Sequence, residues 1–387
     1  MSRRELLRTA ARMGGLVGLS AALGACAPSS GKQERQGRGG SRPHVTIGFV
    51  PIACAAPLLV ADGLGLFDKH GLDVTLRKFS GWADLWTAYA TGALDLAHML
   101  SPMPIAIDSG ATDASRPTEL AFTQNTNGQA LTLAADHHPH VNTVGDLRGM
   151  VLGIPFEYSV HALLLRDYLA AGGVHPVRDV ELRLLRPADM IAQLEVGTID
   201  GFIGPEPFNQ RALQSGAGRI FVPTKQMWDG HPCCSIAMAR EGQSSIRTPL
   251  IAALSEAATY VDNPAHAHDA APLLAQEKYL NQKAELIEPA LIGEYLTWSD
   301  EQVTDPNMIR FGDTTQASAL CWMATQMARW GLGGEGVLFD DHSIRTAAER
   351  VLPAEAGRSE ATLMINGQEF DPRHPTAGYT AEARQKD

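Results

Sequence analysis

The chain has 387 residues, 44% of them hydrophobic, and a formal net charge of −11. Eight basic and two acidic residues fall in the first 43 positions, leaving 24 basic against 41 acidic side chains in the remainder, a balance that repels nucleic acid. Beyond residue 43 no apolar run is long enough to span a membrane, and the composition suits a globular α/β protein large enough for two lobes.

The first segment reads as an address. Ser2-Arg3-Arg4-Glu5-Leu6-Leu7-Arg8 matches a twin-arginine export signal, and the apolar run at 13–25 has the length of a signal-peptide core. Leu23-Gly24-Ala25-Cys26 resembles a bacterial lipobox, so cleavage before Cys26 and lipidation of its sulfur are expected. Residues 26–43, rich in Gly, Ser, Arg and Gln, then form a flexible tether, and the protein is expected at the periplasmic face of the envelope, held by a lipid anchor.

Residues 45–79 read as strand, helix, strand. Residues 45–50 alternate as a buried strand does, 55–69 place Leu58, Leu59, Leu66 and Phe67 near one helical face, and Pro57 suits a first helical turn. Gly71 ends the helix, and Val74, Leu76 and Phe79 mark the next strand. Parallel strands joined this way belong to an α/β sheet, whose ligands sit beyond the carboxyl ends of the strands.

The same pattern recurs. A shift of 105 positions superposes Gly48 on Gly153, Leu58-Leu59 on Leu163-Leu164 and Asp62 on Asp167. Residues 83–102 then align without a gap on 188–207, with Ala, Asp, Gly, Asp and Pro identical. Two similar lobes facing a cleft are therefore expected: lobe one from 44–149 and 238–345, lobe two from 150–237, with hinge crossings near 150 and 237. Helical patterns at 246–331, notably 249–261 and 316–330, are expected to return to lobe one, and the polar tail at 346–387 has no assigned place.

Apart from Cys26, the cysteines are Cys54, Cys233, Cys234 and Cys321. Adjacent cysteines bridge each other poorly, which leaves pairing across the lobes or free thiols, and no disulfide framework is expected. The tract containing His137, His138 and His140 reads as an exposed turn, as does Asp340-Asp341-His342, and no metal site is assigned.

Seven segments in order carry a family resemblance: GFVP (48–51), APLLVADGLGLFDKHGLDVTL (56–76), SGWADL (80–85), LDLAHMLSPMP (94–104), NTNGQALTL (125–133), VGTIDGFIGPEPFN (196–209) and WDGHP (228–232). Together they resemble the periplasmic solute-binding proteins of nitrate and bicarbonate ABC transporters, over nearly all of residues 44–340. The resemblance implies a two-lobed periplasmic-binding-protein fold of type II, each lobe a mostly parallel sheet flanked by helices. It also implies a monomeric, non-catalytic clamp that closes on a small inorganic anion and delivers it to an ABC permease and its ATPase.

The ligand contacts it implies are Trp82, the backbone amide at Ala83, Gln129 and His161. After His231-Pro232 the chain departs from the family: Cys233-Cys234 stand where relatives carry charged residues, which leaves the anion open and adds His231 and Cys233 to the candidates. Nitrate or nitrite is the leading ligand. Bicarbonate with a supporting Ca²⁺, or a thiamine-pyrimidine or sulfonate type of solute, is the alternative, and otherwise no cofactor is implied.

An acidic protein that buries an anion must aim local donors at it. Helix starts near Ala55 and Val160 would offer free N–H groups and positive dipole ends. His161 would add one N–H when neutral, Gln129 an amide donor and Trp82 an indole N–H, whereas Trp86 reads as core. Glu206, between two prolines at a strand end, is expected near the cleft.

Overall fold

The alternating run becomes β1 (His44–Phe49), followed by a 3₁₀ turn at Ala53–Ala55 and helix α1 (Ala56–Gly63), with Pro57 in its first turn. The expected helix to residue 69 is interrupted at Gly65, whose φ of 69° belongs to the left-handed region that glycine tolerates, and one more turn, Leu66–Lys69, follows. Then come β2 (Asp73–Lys78), α2 (Trp82–Ala90), β3 (Leu96–Leu100), β4 (Thr118–Asn127) and β5 (Gln129–Ala134). The second half repeats the order with β6 (Val151–Ile154), α3 (Val160–Ala171), β7 (Glu181–Leu184), α4 (Pro187–Glu195) and β8 (Gly201–Pro205), and adds α5 (Phe208–Ser215) and β9 (Gly218–Pro223). β10 (Pro232–Ala239), α6 (Ser244–Val261), β11 (Ile309–Asp313), α7 (Ala317–Arg329) and α8 (Asp341–Arg350) complete the main elements. This computed structural model describes residues 42–138, 140–313, 316–353, 356 and 360–382, so the export motif, Cys26 and the tether up to residue 41 lie outside the described residues.

Two mixed sheets form. The first has the order β11-β4-β10-β3-β1-β2 and the second β7-β6-β8-β5-β9. In each, the repeat supplies a parallel trio, and the register agrees: Gly48 opposes Ala97 as Gly153 opposes Phe202. The repeated aspartates explain part of this agreement. Asp95 accepts from the amide of Thr46 and Asp200 from that of Val151, both at 2.8 Å, so each ties the turn before the third strand to the start of the first.

The crossings lie elsewhere than at residues 150 and 237. β5 pairs antiparallel with β8, and β10 pairs antiparallel with β3, so each lobe closes its parallel trio with a strand adjoining a crossing. The chain therefore leaves lobe one at Gly128, and by Pro232 it is back. The repeat begins at β6 and could not reveal that the open edge of β8 is filled by the strand preceding it in sequence.

The later helices divide between the lobes. Leu250, Leu254 and Ala257 of α6 share an apolar cluster with Leu58 and Leu59 of α1, on lobe one as expected. α7 instead packs on α3 of lobe two, where Arg329 pairs with Asp167 at 3.1 Å inside the protein. The tail adds to this anchor, for Asn366 donates to Asp167 at 2.7 Å and its own N–H to the carbonyl of Met227 at 2.6 Å. Asp62, the counterpart of Asp167, accepts from Tyr279 in the same way, so each first helix of the repeat holds a later addition by one carboxylate.

The lobes are closed on each other. Trp86 of lobe one lies 5.2 Å from Tyr158 and 6.0 Å from Phe156 of lobe two, centroid to centroid, and the Ala53 N–H donates to the carbonyl of Glu206 at 2.8 Å. No described helix is long and apolar enough to cross a membrane.

Candidate functional site

Strand ends and crossings deliver the candidate side chains to the junction between the lobes. Gly128 makes the first crossing possible: its φ is 84°, and a Cβ there would stand 2.6 Å from Cδ1 of Ile309. The next residue, Gln129, is fully buried, with Nε2 3.8 Å from Sγ of Cys54 and Oε1 3.4 Å from the hydroxyl of Thr224. Thr224 also lies 2.9 Å from Nε2 of His231, just before β10. Beyond it, Sγ of Cys233 stands 3.8 Å from Cys54 and 3.6 Å from Cys234.

The two histidines are neutral. Burial lowers the pKa of His161 to about 3, with the neighbouring His231 adding to the effect, and lowers that of His231 to about 4. Neither ring nitrogen of His161 has a protein partner, and Nδ1 of His231 has none. Burial likewise raises Glu206 to about 7, against the N–H of Gln210, which donates to its carboxylate at 3.3 Å. Burial raises the thiols of Cys233 and Cys234; for Cys54 it acts in the same sense, but hydrogen bonds from those two thiols and from Gln129 outweigh it and hold Cys54 below its ordinary value.

Gln129, His231 and Cys233 are thus joined through Thr224 and Cys54. His161 stands within electrostatic reach of His231, and Glu206 joins through its backbone bond to Ala53 and lies within electrostatic reach of Cys54. Trp82 is buried in the same apolar cluster as Cys54 and Cys233, and its indole N–H has no partner. Ala83 follows Trp82 in the first turn of α2, with its methyl group exposed. Trp86 is core, donating to the carbonyl of Ala114 at 2.9 Å.

Thr224 and Cys54 were not among the candidates. Nothing local distinguishes Thr224, while Cys54 lies 179 positions from the cysteine it meets. The four described cysteines are free thiols. Elsewhere, His137 pairs with Asp200 at 3.0 Å, His138 packs edge-on against Trp298, and Asp340 caps α8.

No lysine occurs among the buried described residues. The two buried arginines are engaged elsewhere, Arg329 with Asp167 and Arg166 with the carbonyl of Ala162 at 3.2 Å. A guest here would therefore meet an indole, an amide and the His161 imidazole as donors, with Nδ1 of His231 and one carboxyl group as acceptors. The donor set does not suit Ca²⁺, which takes six to eight oxygens, for sulfur dominates it and Glu206 is the one carboxylate identified there.

The model of the NMT1-like family matches residues 38–275. The chain belongs to the NMT1-like family. Among its relatives, the nitrate/nitrite binding protein NrtA of Synechococcus elongatus is 27% identical over 97% of this chain and 96% of its own length. The bicarbonate transport ATP-binding protein CmpC of Synechocystis sp. is 34% identical over 74% of this chain. The chain spans about half the length of CmpC and of the nitrate import ATP-binding protein NrtC, 46% and 47% respectively. In three dimensions it matches the crystal structure of the periplasmic nitrate-binding protein NrtA from Synechocystis PCC 6803 with a TM-score of 0.77, at 23% identity, over 86% of this chain and 97% of that one. The sulphonate-binding protein SsuA from Escherichia coli matches at 0.57 and 18% identity, over 73% of this chain and 89% of that one. The fold of this NMT1-like protein is thus that of the periplasmic binding proteins, as expected.

Proposed function

We propose that this NMT1-like protein is the solute-binding component of an ABC importer and that its lobes close on a small planar oxyanion, nitrate or nitrite. The observation that carries the reading is the set of buried polar groups at the junction, where His161, His231 and Trp82 retain ring nitrogens without protein partners. Such donors stabilise an anion by hydrogen bonds without bringing a full countercharge out of water. The single hydroxyl proton of Thr224 sets a tautomer: the carbonyl and Oε1 of Gln129, at 3.1 and 3.4 Å, can only accept it, so Nε2 of His231 donates to Thr224 and Nδ1 is left as an acceptor. Trp82, Gln129 and His161 donate to the anion, and the lobes exclude water. The relatives named for nitrate binding support the ligand class, and no catalytic step is part of the reading.

Delivery would be to a permease and its ATPase, from a monomer tethered through lipidated Cys26 after export by the twin-arginine route. Titration calorimetry on the mature chain is expected to give roughly micromolar affinity for nitrate or nitrite, about −8 kcal/mol. Absence of heat with nitrate, nitrite and bicarbonate alike refutes it. Fractionation of cells expressing C26A should move the protein from membrane to soluble fraction; an unchanged distribution removes the anchor.

One observation favours bicarbonate as a second reading. Glu206 is a buried acceptor, and bicarbonate carries a proton to donate where nitrate carries none. Heat with bicarbonate that E206A abolishes, beside none with nitrate, selects it.

A further inference from the structure

Cys54, Cys233 and Cys234 each place a sulfur within 4.8 Å of the other two, and all three are wholly buried. Two come from neighbouring positions at the start of β10, and the third from the 3₁₀ turn after β1. β10 is a strand of the lobe-one sheet and the 3₁₀ turn directly follows β1 of the same sheet. A cation bonded to three thiolates at about 2.3 Å in a plane holds the sulfurs about 4.0 Å apart, and a tetrahedral face about 3.8 Å. The separations of 3.8 Å (Cys54–Cys233) and 3.6 Å (Cys233–Cys234) approach those spacings, and the third pair lies within 4.8 Å.

We propose that the three thiols form a binding site for a soft monovalent cation, Cu(I). Sulfur selects soft ions, and the donor group contains no oxygen that would attract Mg²⁺ or Ca²⁺. Coordination number separates Cu(I) from Zn²⁺. Among the described residues the cluster offers three ligand atoms, which complete a trigonal Cu(I) site, whereas tetrahedral Zn²⁺ would need a fourth ligand from water or a guest. Loading forms three Cu–S bonds and releases to solvent the protons of those thiols that become thiolates; copper enters as Cu(I), so no electron is transferred. The amide of Gln129 already lies 3.8 Å from Sγ of Cys54, where it can donate to a copper-bound thiolate.

The test is an anaerobic titration of the reduced full chain with Cu(I) held by bicinchoninate, read by loss of the chelator colour. One Cu(I) per chain is expected, with X-ray absorption showing three sulfur neighbours at about 2.3 Å. C54S, C233S and C234S should each weaken the complex by about a hundredfold or more, beyond the effect of most outer-sphere changes. C26A/C321S keeps only the cluster thiols and must retain the full equivalent, and circular dichroism melts establish that each variant is folded. No uptake by the folded wild-type chain, uptake lost in C26A/C321S, uptake unaffected by folded C54S, or preference for Zn²⁺ over Cu(I) each overturns the proposal. Nitrate calorimetry on the copper-free protein is a separate measurement, so either reading can fail without the other.

Discussion

Glu206 offers the most direct measurement of how deeply the site is closed off from water. Its carboxyl group is almost wholly buried, and its pKa rises from 4.5 to about 7 because burial disfavours the charged form. Between those two values the folded protein binds more protons than the unfolded chain, so stability is greatest below about 4.5 and is lost as pH rises through 7. The shift of about 2.5 units, at 1.36 kcal/mol each, corresponds to about 3 kcal/mol of destabilisation at pH 8 relative to a site that never ionises. E206Q keeps the shape and an acceptor for the N–H of Gln210 but has no charge to bury. Urea unfolding of both proteins at pH 5, 6, 7 and 8 should give similar free energies at pH 5 and a variant about 3 kcal/mol more stable than wild type at pH 8. A difference that stays constant across this range refutes the assignment of a buried, proton-linked carboxyl.

His161→Ala should weaken nitrate binding about ten- to hundredfold, the worth of a hydrogen bond to a charged acceptor, and calorimetry that gives an unchanged affinity removes His161 from the ligand shell. Arg329→Met should cost about 3–5 kcal/mol by leaving Asp167 charged and buried, while D167N/R329M should recover much of that loss; urea midpoints decide, and a single-variant cost under about 1 kcal/mol contradicts the buried pair. Gly128→Ala should destabilise more than Gly65→Ala, because both hold a positive φ but only Gly128 faces Ile309; equal unfolding midpoints argue against the contact.

Much of the protein was legible in its residues. Hydrophobic period and turn chemistry located β1, α1, β2 and the ends of α7, and the 105-residue repeat carried over to register and to the paired roles of Asp95 and Asp200. Gln129 and His161 were legible only through motif resemblance, His231 through the departure from it, and Glu206 from its place between two prolines at a strand end.

Local periodicity and neighbour chemistry act over a few residues, so the chain alone determined its α/β units, their duplication and the polar groups at their ends. Only the tertiary structure decided which strand fills the open edge of each parallel trio. That choice moved the crossing to Gly128, brought Cys54 to Cys233 and Thr224 to His231, and sent α7 to lobe two. Pairing of this kind depends on which backbone groups and buried charges still lack a partner once the local units have formed, a property of the assembled sheets.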